Sequence, residues 1–108
     1  MKATELRVGN YVYYADKKTL LKINGGHILY PSQIYPIPIT EDILLKCGFK
    51  DLGYGEFELG SYMCDGEYTD KDEWEFCYLG KRLCTVYFTH QLQNLYFALT
   101  GEELTIKL

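Results

Sequence analysis

The stretch HQLQNLYFALTGEEL, residues 90–104, decides the fold, because it contains the chain's clearest helical pattern. Thr89 precedes it as a candidate helix N-cap, and Gly101 follows as a residue that ends helices in a left-handed conformation. Four apolar residues recur at the spacing of one helical face: Leu92, Leu95, Tyr96 and Leu99. The pattern predicts an amphipathic C-terminal helix with one buried stripe.

Residues 54–88 precede that helix and predict an antiparallel β-meander, because short runs of strand-forming residues alternate with turn residues. With Gly80-Lys81 as a two-residue loop, Cys77 is predicted to lie opposite Cys84. This register places an apolar face beneath the final helix: Trp74, Phe76, Tyr78, Leu83 and Tyr87. The other face is mixed: Glu75, Cys77, Arg82, Cys84 and Val86.

The N-terminal part predicts three short strands, with a phase slip at Gly9-Asn10 in the first and a hairpin at 24–26 before a strand at 27–30. A bent first strand followed by short hairpins is typical of small SH3-like barrels, which is an analogy of fold only. Prolines at 31, 36 and 38 predict an extended connector. Thr40 then predicts the N-cap of a short helix that stops at Gly48.

These elements predict an α+β fold class. We expect an N-terminal SH3-like small β-barrel portion, a short helix, and an antiparallel β-meander packed on a C-terminal amphipathic helix. A length of 108 residues predicts one compact domain, divisible into subdomains at 1–39 and 40–108.

Composition narrows the class of protein. Hydrophobic residues make up 47% of the chain, which argues against disorder. A net charge of −4 and the absence of a basic run disfavour nucleic acid as a partner. No apolar run approaches the roughly 20 residues that a membrane span needs, and the start has no signal-peptide core. We therefore expect a cytoplasmic protein whose four cysteines stay reduced, with no membrane partner and with homo-oligomerisation left open.

Three stretches of the chain resemble the signatures of a known family. They are ATELRVGNYVYY at 3–14, IPITEDILLKCGF at 37–49 and HQLQNLYFALTGEEL at 90–104. Together they resemble a family of small phage, prophage and mobile-element proteins from gut bacteria of the Bacteroides type. The resemblance implies such an origin and a shared fold. The function of that family is unknown, so the resemblance assigns no catalytic residue.

Tyrosines are the first candidate binding residues: Tyr11, Tyr13, Tyr14, Tyr30 and Tyr35. Aromatic side chains that line a small barrel can form a groove for peptides or can stack nucleobases. Because few basic residues lie nearby, the peptide interpretation is preferred. The ordinary alternative is that these rings cover a thin core.

The stretch DGEYTDKDEWE at 65–75 is the second candidate, and it adds Asp70 and Asp72 as binding residues. Its spacing does not match a calcium-binding loop. It predicts either a solvated hairpin tip or an acidic surface that docks a basic partner.

The sequence gives little support for catalysis or metal binding. His90 lacks a recognisable nucleophile motif, and the cysteines contain no C-x-x-C pair. We therefore expect no catalytic residue, no metal site and no cofactor. The sequence favours a non-enzymatic interaction protein of phage or mobile-element origin that presents an aromatic or acidic surface to a protein partner. The alternative is a nucleic-acid-binding or nucleotide-binding module that uses the tyrosine-lined barrel.

Overall fold

The structure is a computed structural model that describes residues 6–15, 19–23, 34–66 and 72–107. The chain divides into two compact units, Met1–Pro38 with Phe88–Glu103, and Ile39–Tyr87 with Leu104–Leu108. The described helices are α1 (Glu41–Lys46) and α2 (Thr89–Thr100). The described strands are β1 (Tyr11–Tyr14), β2 (Leu20–Lys22), β3 (Ile34–Tyr35), β4 (Lys50–Gly53), β5 (Glu56–Leu59), β6 (Tyr62–Asp65), β7 (Trp74–Tyr78) and β8 (Lys81–Val86). The strand pairings are antiparallel, so the predicted α+β class is confirmed.

The first unit contains a three-stranded sheet with the order β2-β1-β3. Its described residues include a core cluster of Val12, Ile23 and Ile34, with Leu6, Tyr14 and Leu21 packed against them. The strands described here form an open sheet and not a closed barrel. The hairpin predicted at 24–26 and the strand predicted at 27–30 lie outside the described residues.

The predicted phase slip at Gly9-Asn10 is confirmed. The backbone N–H of Gly9 donates to the carbonyl of Ile23 at 2.8 Å, and the N–H of Ile23 donates to the carbonyl of Asn10 at 2.8 Å. Two residues therefore oppose one, which is a β-bulge. Gly9 has a φ of +98°, a conformation that glycine adopts without steric cost.

Helix α2 belongs to the first unit, where its residues contact β1. The packing of this helix on the meander, which the sequence predicted, stays a prediction. The helix begins at Thr89, with Phe88 as N-cap in place of the predicted Thr89, and it ends as predicted at Gly101, which has a φ of +74°. The buried side chains concentrate in its first turns: Thr89, His90, Leu92 and Gln93. Leu99, predicted to extend the buried stripe, is 45% exposed.

The second unit contains the predicted meander, a five-stranded sheet with the order β4-β5-β6-β7-β8. Helix α1 begins as predicted, because Oγ1 of Thr40 accepts a hydrogen bond from the N–H of Ile43 at 3.2 Å. Gly48 follows the helix with a φ of +90°. The buried apolar side chains of this unit are Ile39, Leu44, Cys47, Phe49, Phe57, Cys64, Trp74, Phe76, Val86, Leu104 and Ile106.

The predicted register of the last hairpin is wrong. The turn is Leu79-Gly80, and an irregularity in β8 places Phe76 opposite Cys84 and Cys77 opposite Arg82. Adjacent strand residues point to opposite faces, so one inserted residue reverses the face of those that follow. Cys77 and Cys84 therefore do not oppose each other, and all four cysteines are free.

The same insertion changes which residues of the hairpin are buried. Val86 lies opposite Trp74 and is buried, although the sequence placed it on the mixed face. Leu83 and Tyr87, which the sequence placed beneath the final helix, are 47% and 40% exposed.

Candidate binding surface

His90, which the sequence considered for general-base chemistry and did not favour, has a buried side chain with only 1% of its surface exposed. Its ring stacks on Phe88, with centroids 6.0 Å apart and planes 8° from parallel. A general base must come within hydrogen-bond reach of its substrate, which a side chain this buried does not do in the folded chain. Among the residues that the structure describes, no three His, Cys, Asp or Glu side chains form a group that could hold a metal ion.

Gln93 is 1% exposed and completes the edge of β1. Its Nε2 donates to the carbonyl of Gly9 at 3.0 Å. Its Oε1 accepts from the backbone N–H of Tyr11 at 2.9 Å. The side-chain amide thus replaces the peptide group of a neighbouring strand, and it satisfies two backbone groups beside the bulge.

Arg7 and Asn10 extend this connection along α2. Oδ1 of Asn94 accepts from Nδ2 of Asn10 at 2.8 Å and from Nε of Arg7 at 3.1 Å. The Arg7 guanidinium pairs with Glu103 and lies 4.3 Å from the ring centroid of Phe97. The polar residues of two of the quoted signature stretches therefore bind each other. These side chains therefore hold the two stretches together, and we do not consider them candidates for a ligand site.

The candidate tyrosines of the first unit separate into two groups. Residues paired across antiparallel strands share a face, so Tyr13 and Tyr35 lie together. Tyr11, two residues from Tyr13, lies on the same face as they do. Tyr14 pairs with Ile34 on the other face and packs against the core cluster. Tyr30 lies outside the described residues.

The candidate acidic residues are only partly described. Asp72 is exposed with a φ of +70°, and Asp70 lies outside the described residues. The register reveals a further acidic row that the sequence did not identify, because Glu56, Asp65 and Glu75 lie directly opposite one another on three neighbouring strands. Oε1 of Glu75 forms an ion pair with Nε of Arg82 at 3.0 Å. One face of the meander is therefore acidic.

The opposite face of the meander carries a row of aromatic rings that runs from the core to the solvent. The Tyr62 ring lies 5.5 Å from that of Phe76 and 5.2 Å from that of Tyr78, measured between centroids. Phe76 is fully buried, whereas Tyr78 is 41% exposed. The buried Phe76 ring thus contacts the Tyr62 ring, which in turn contacts the Tyr78 ring.

The turn after Tyr78 adds an exposed leucine to this end of the sheet. Leu79 is 69% exposed and has a φ of +49°, and its N–H donates to the carbonyl of Ser61 at 3.0 Å. The left-handed conformation costs an ordinary L-residue about 1–2 kcal/mol, and Asn, Asp or Gly is usual at this turn position. Lys81 lies opposite Tyr78 and closes the turn. We call these four residues the tip patch: Tyr62, Tyr78, Leu79 and Lys81.

The sequence missed the tip patch because it predicted Tyr78 to be covered by the final helix. One signal was available, since Leu79-Gly80 as the loop puts a leucine where hairpins prefer Asn or Asp. A strained, exposed apolar residue is a recognised indicator of a functional surface. The tip patch is therefore our candidate binding surface.

A groove of about 490 Å³ lies at the end of α1. Its lining residues are Leu45, Lys46, Cys47, Gly48, Thr105 and Lys107. Lys46 pairs with Asp42 at 2.9 Å, and the carbonyls at a helix C-terminus repel the anions that lysines attract. Burial raises the pKa of Cys47 to about 12, so this thiol stays protonated and is a poor nucleophile. The groove therefore favours no ligand class.

No protein-family model, no curated protein and no solved structure matches the chain. The resemblance to mobile-element proteins stays a prediction. Neither helix in the described part of the chain combines the length and the apolar character that crossing a bilayer requires.

Proposed function

We propose that the chain is a non-enzymatic interaction protein, of phage or mobile-element origin and cytoplasmic, that binds a protein partner through the tip patch. The observation that carries this proposal is Leu79, an exposed leucine in a left-handed conformation beside the half-exposed ring of Tyr78. A residue that strains its turn and buries little in the free chain contributes to stability only when something covers it.

The aromatic row supports the same function. Tyrosines are enriched among the residues that contribute most to protein interfaces, because a rigid ring buries a large area at a small entropic cost. Contact with Tyr62 and Phe76 already restrains this part of the sheet before binding. A preorganised surface loses less conformational entropy when a partner docks.

The edges of the meander favour docking on side chains over addition of a strand. Both edge strands, β4 and β8, carry register shifts. Lys50, Lys81 and Arg82 place exposed charges along them. Bulges and charged residues are the usual protection of an edge against pairing with another chain. A partner that contacts the tip patch therefore does so without extending the sheet.

A photo-crosslinking amino acid at the position of Leu79 tests this function in cells that express the chain naturally. The matched control is the same substitution at Leu99, an exposed leucine on α2. We expect one protein to be crosslinked from the first position and not from the second. Equal crosslinking from both positions, or none from the first, would contradict the proposal.

The alternative function, nucleic-acid or nucleotide binding, has one observation in its favour. Tyr11, Tyr13 and Tyr35 share a face of the N-terminal sheet, which we propose to be part of an SH3-like barrel. Nζ of Lys22 lies 5.7 Å from the centroid of Tyr11 on that face. Aromatic stacking beside a cation is how many proteins bind single strands. Fluorescence polarisation with a labelled single-stranded oligonucleotide at low salt tests it, and a flat titration would exclude it.

A further inference from the structure

We infer that the partner presents an acidic residue beside an apolar side chain, and that Lys81 recognises the acidic residue. This inference rests on the proposed function and specifies its partner. Lys81 lies directly opposite Tyr78, so both occupy the same face of the sheet at its tip. It is exposed, and within the described part of the chain it forms no ion pair.

The neighbouring cation is arranged differently. Arg82 lies opposite Cys77, on the face that carries the acidic row. Its Nε pairs with Glu75 at 3.0 Å, and its Nη2 donates to Oγ1 of Thr85 at 2.8 Å. The meander therefore neutralises Arg82 internally and leaves Lys81 available beside the exposed rings and Leu79. In a chain of net charge −4, this leaves the tip patch with a local charge opposite to that of the whole molecule.

Charge complementarity decides between two classes of anionic partner. An anionic membrane would attract Lys81 but would repel a chain of net charge −4, including the acidic row on the reverse face of the sheet. Stable membrane association also needs more apolar area than one leucine and two rings provide. A protein segment with a single carboxylate beside an aliphatic or aromatic residue matches the size and charge of the tip patch.

A phage-displayed library of random peptides tests the inference with the full chain as bait. The wild-type chain should enrich peptides with Asp or Glu beside an aliphatic or aromatic residue. Lys81→Glu should instead enrich peptides with Lys or Arg. The affinity of a selected acidic peptide should fall by up to about fivefold in Lys81→Glu, since that is the largest contribution of an exposed ion pair. Arg82→Glu is the matched control and should leave the selected peptides unchanged.

Each outcome separates this inference from the proposed function. Peptides that depend on Leu79, tested with Leu79→Asp, but carry no acidic residue would overturn the inference and leave the proposed function intact. A selection that Leu79→Asp does not change would overturn both. Co-sedimentation with vesicles of phosphatidylserine and phosphatidylcholine is the last arm, and binding there that Lys81→Glu abolishes would favour a lipid partner instead. Circular dichroism of each variant confirms that it is folded.

Discussion

The two units of this chain are stabilised by different chemistry. In the first, Asn10 and Gln93 are buried polar side chains that join the N-terminal segment to α2. Asn10 donates a hydrogen bond to Asn94 of the helix, and Gln93 of the helix donates one to the carbonyl of Gly9. In the second, the described core combines aromatic rings with aliphatic side chains, and Nε1 of Trp74 donates to the carbonyl of Ile39 at 3.1 Å. A hydrogen bond depends on the positions of its atoms to within tenths of an ångström. Apolar packing is less exacting, because one apolar side chain can replace another of similar volume.

The difference also concerns which side chains remain available for a partner. In the first unit, the side chains of Arg7 and Asn10 are engaged with Asn94 and Glu103. The second unit extends its row of rings past the core and ends it at the exposed Tyr78 and Leu79. Among the described residues, the unit with more buried apolar side chains is the one that carries the tip patch.

Removal of a core ring should have the largest effect. Phe76→Ala deletes a fully buried ring that also supports Tyr62, and we expect it to destabilise the second unit by about 3–5 kcal/mol. Urea denaturation followed by the fluorescence of Trp74, the single tryptophan, measures this change. Leu99→Ala is the control and should cost far less, because Leu99 is exposed. Similar losses of stability in both variants would show that the buried Phe76 ring does not stabilise the core of the second unit.

Loss of the buried amide should have the next largest effect, confined to the first unit. Gln93→Leu keeps the approximate volume but leaves the carbonyl of Gly9 and the N–H of Tyr11 without their partner. We expect a cost of about 2–4 kcal/mol, since each buried unsatisfied group costs about 1–3 kcal/mol. Faster hydrogen exchange at the Tyr11 amide would show it directly.

Gln91→Ala is the matched control for that experiment. Gln91 lies two residues from Gln93 on the same helix, is partly exposed, and accepts the N–H of Phe88 at its Oε1 at 3.1 Å. Its loss should cost less than the loss of Gln93. A Gln93→Leu chain as stable as Gln91→Ala would show that the amide does not complete the strand edge.

A substitution in the tip patch should change stability by a smaller amount and should increase it. Leu79→Asn replaces a strained leucine with a residue that tolerates the left-handed conformation, so we expect stability to rise by about 0.5–1 kcal/mol. Crosslinking or peptide binding through the tip patch should weaken in the same variant. A chain that is less stable, or one that binds as well as before, would show that Leu79 serves the turn and not a partner.

The smallest effect concerns thiol reactivity and leaves stability unchanged. Burial raises the pKa of Cys47 to about 12 and raises that of Cys64 further. Burial and the nearby Asp65 and Glu75 carboxylates also raise the pKa of Cys77, which is partly exposed. All three thiols stay protonated below their raised pKa values, so alkylation at pH 8 should be slow, with Cys77 ahead of the two buried thiols. Mass spectrometry after iodoacetamide treatment measures the order, and equal rates would contradict it.

Alkylation of cysteines in the Phe76→Ala variant tests the core of the second unit. Cys64 lies opposite Phe76 in the sheet, so opening of the core should expose its thiol. The alkylation rate of Cys64 should therefore rise in this variant. An unchanged rate would mean that Phe76 does not control access to the core.

Several backbone features were predictable from a few adjacent residues. Thr40 caps α1, Gly48 and Gly101 follow helices with positive φ values, and Gly9 forms the bulge, all as the sequence predicted. Each of these depends on a local conformational preference, so the neighbouring residues contain the required information. The meander was predictable for the same reason, since its turns are marked by glycine.

The candidate site was less predictable. The sequence grouped Tyr14 with Tyr11, Tyr13 and Tyr35 as binding residues, because it does not specify which face of β1 the core covers. It assigned Tyr78 to the buried face beneath the helix, and therefore missed the tip patch. Both errors concern which partner covers a side chain, which no local preference specifies.

The sequence by itself determined where the helices end, where β1 bends and that the meander is antiparallel, because those features arise from interactions over three or four residues. Tertiary structure decided which surface α2 covers and which residues face the solvent. Gln93 bonds to Gly9 and Tyr11, more than eighty positions away, and such a pairing depends on the folded positions of both segments. One inserted residue in β8 reverses the alternation of side chains, so the composition of each face follows from the register and not from the pattern alone.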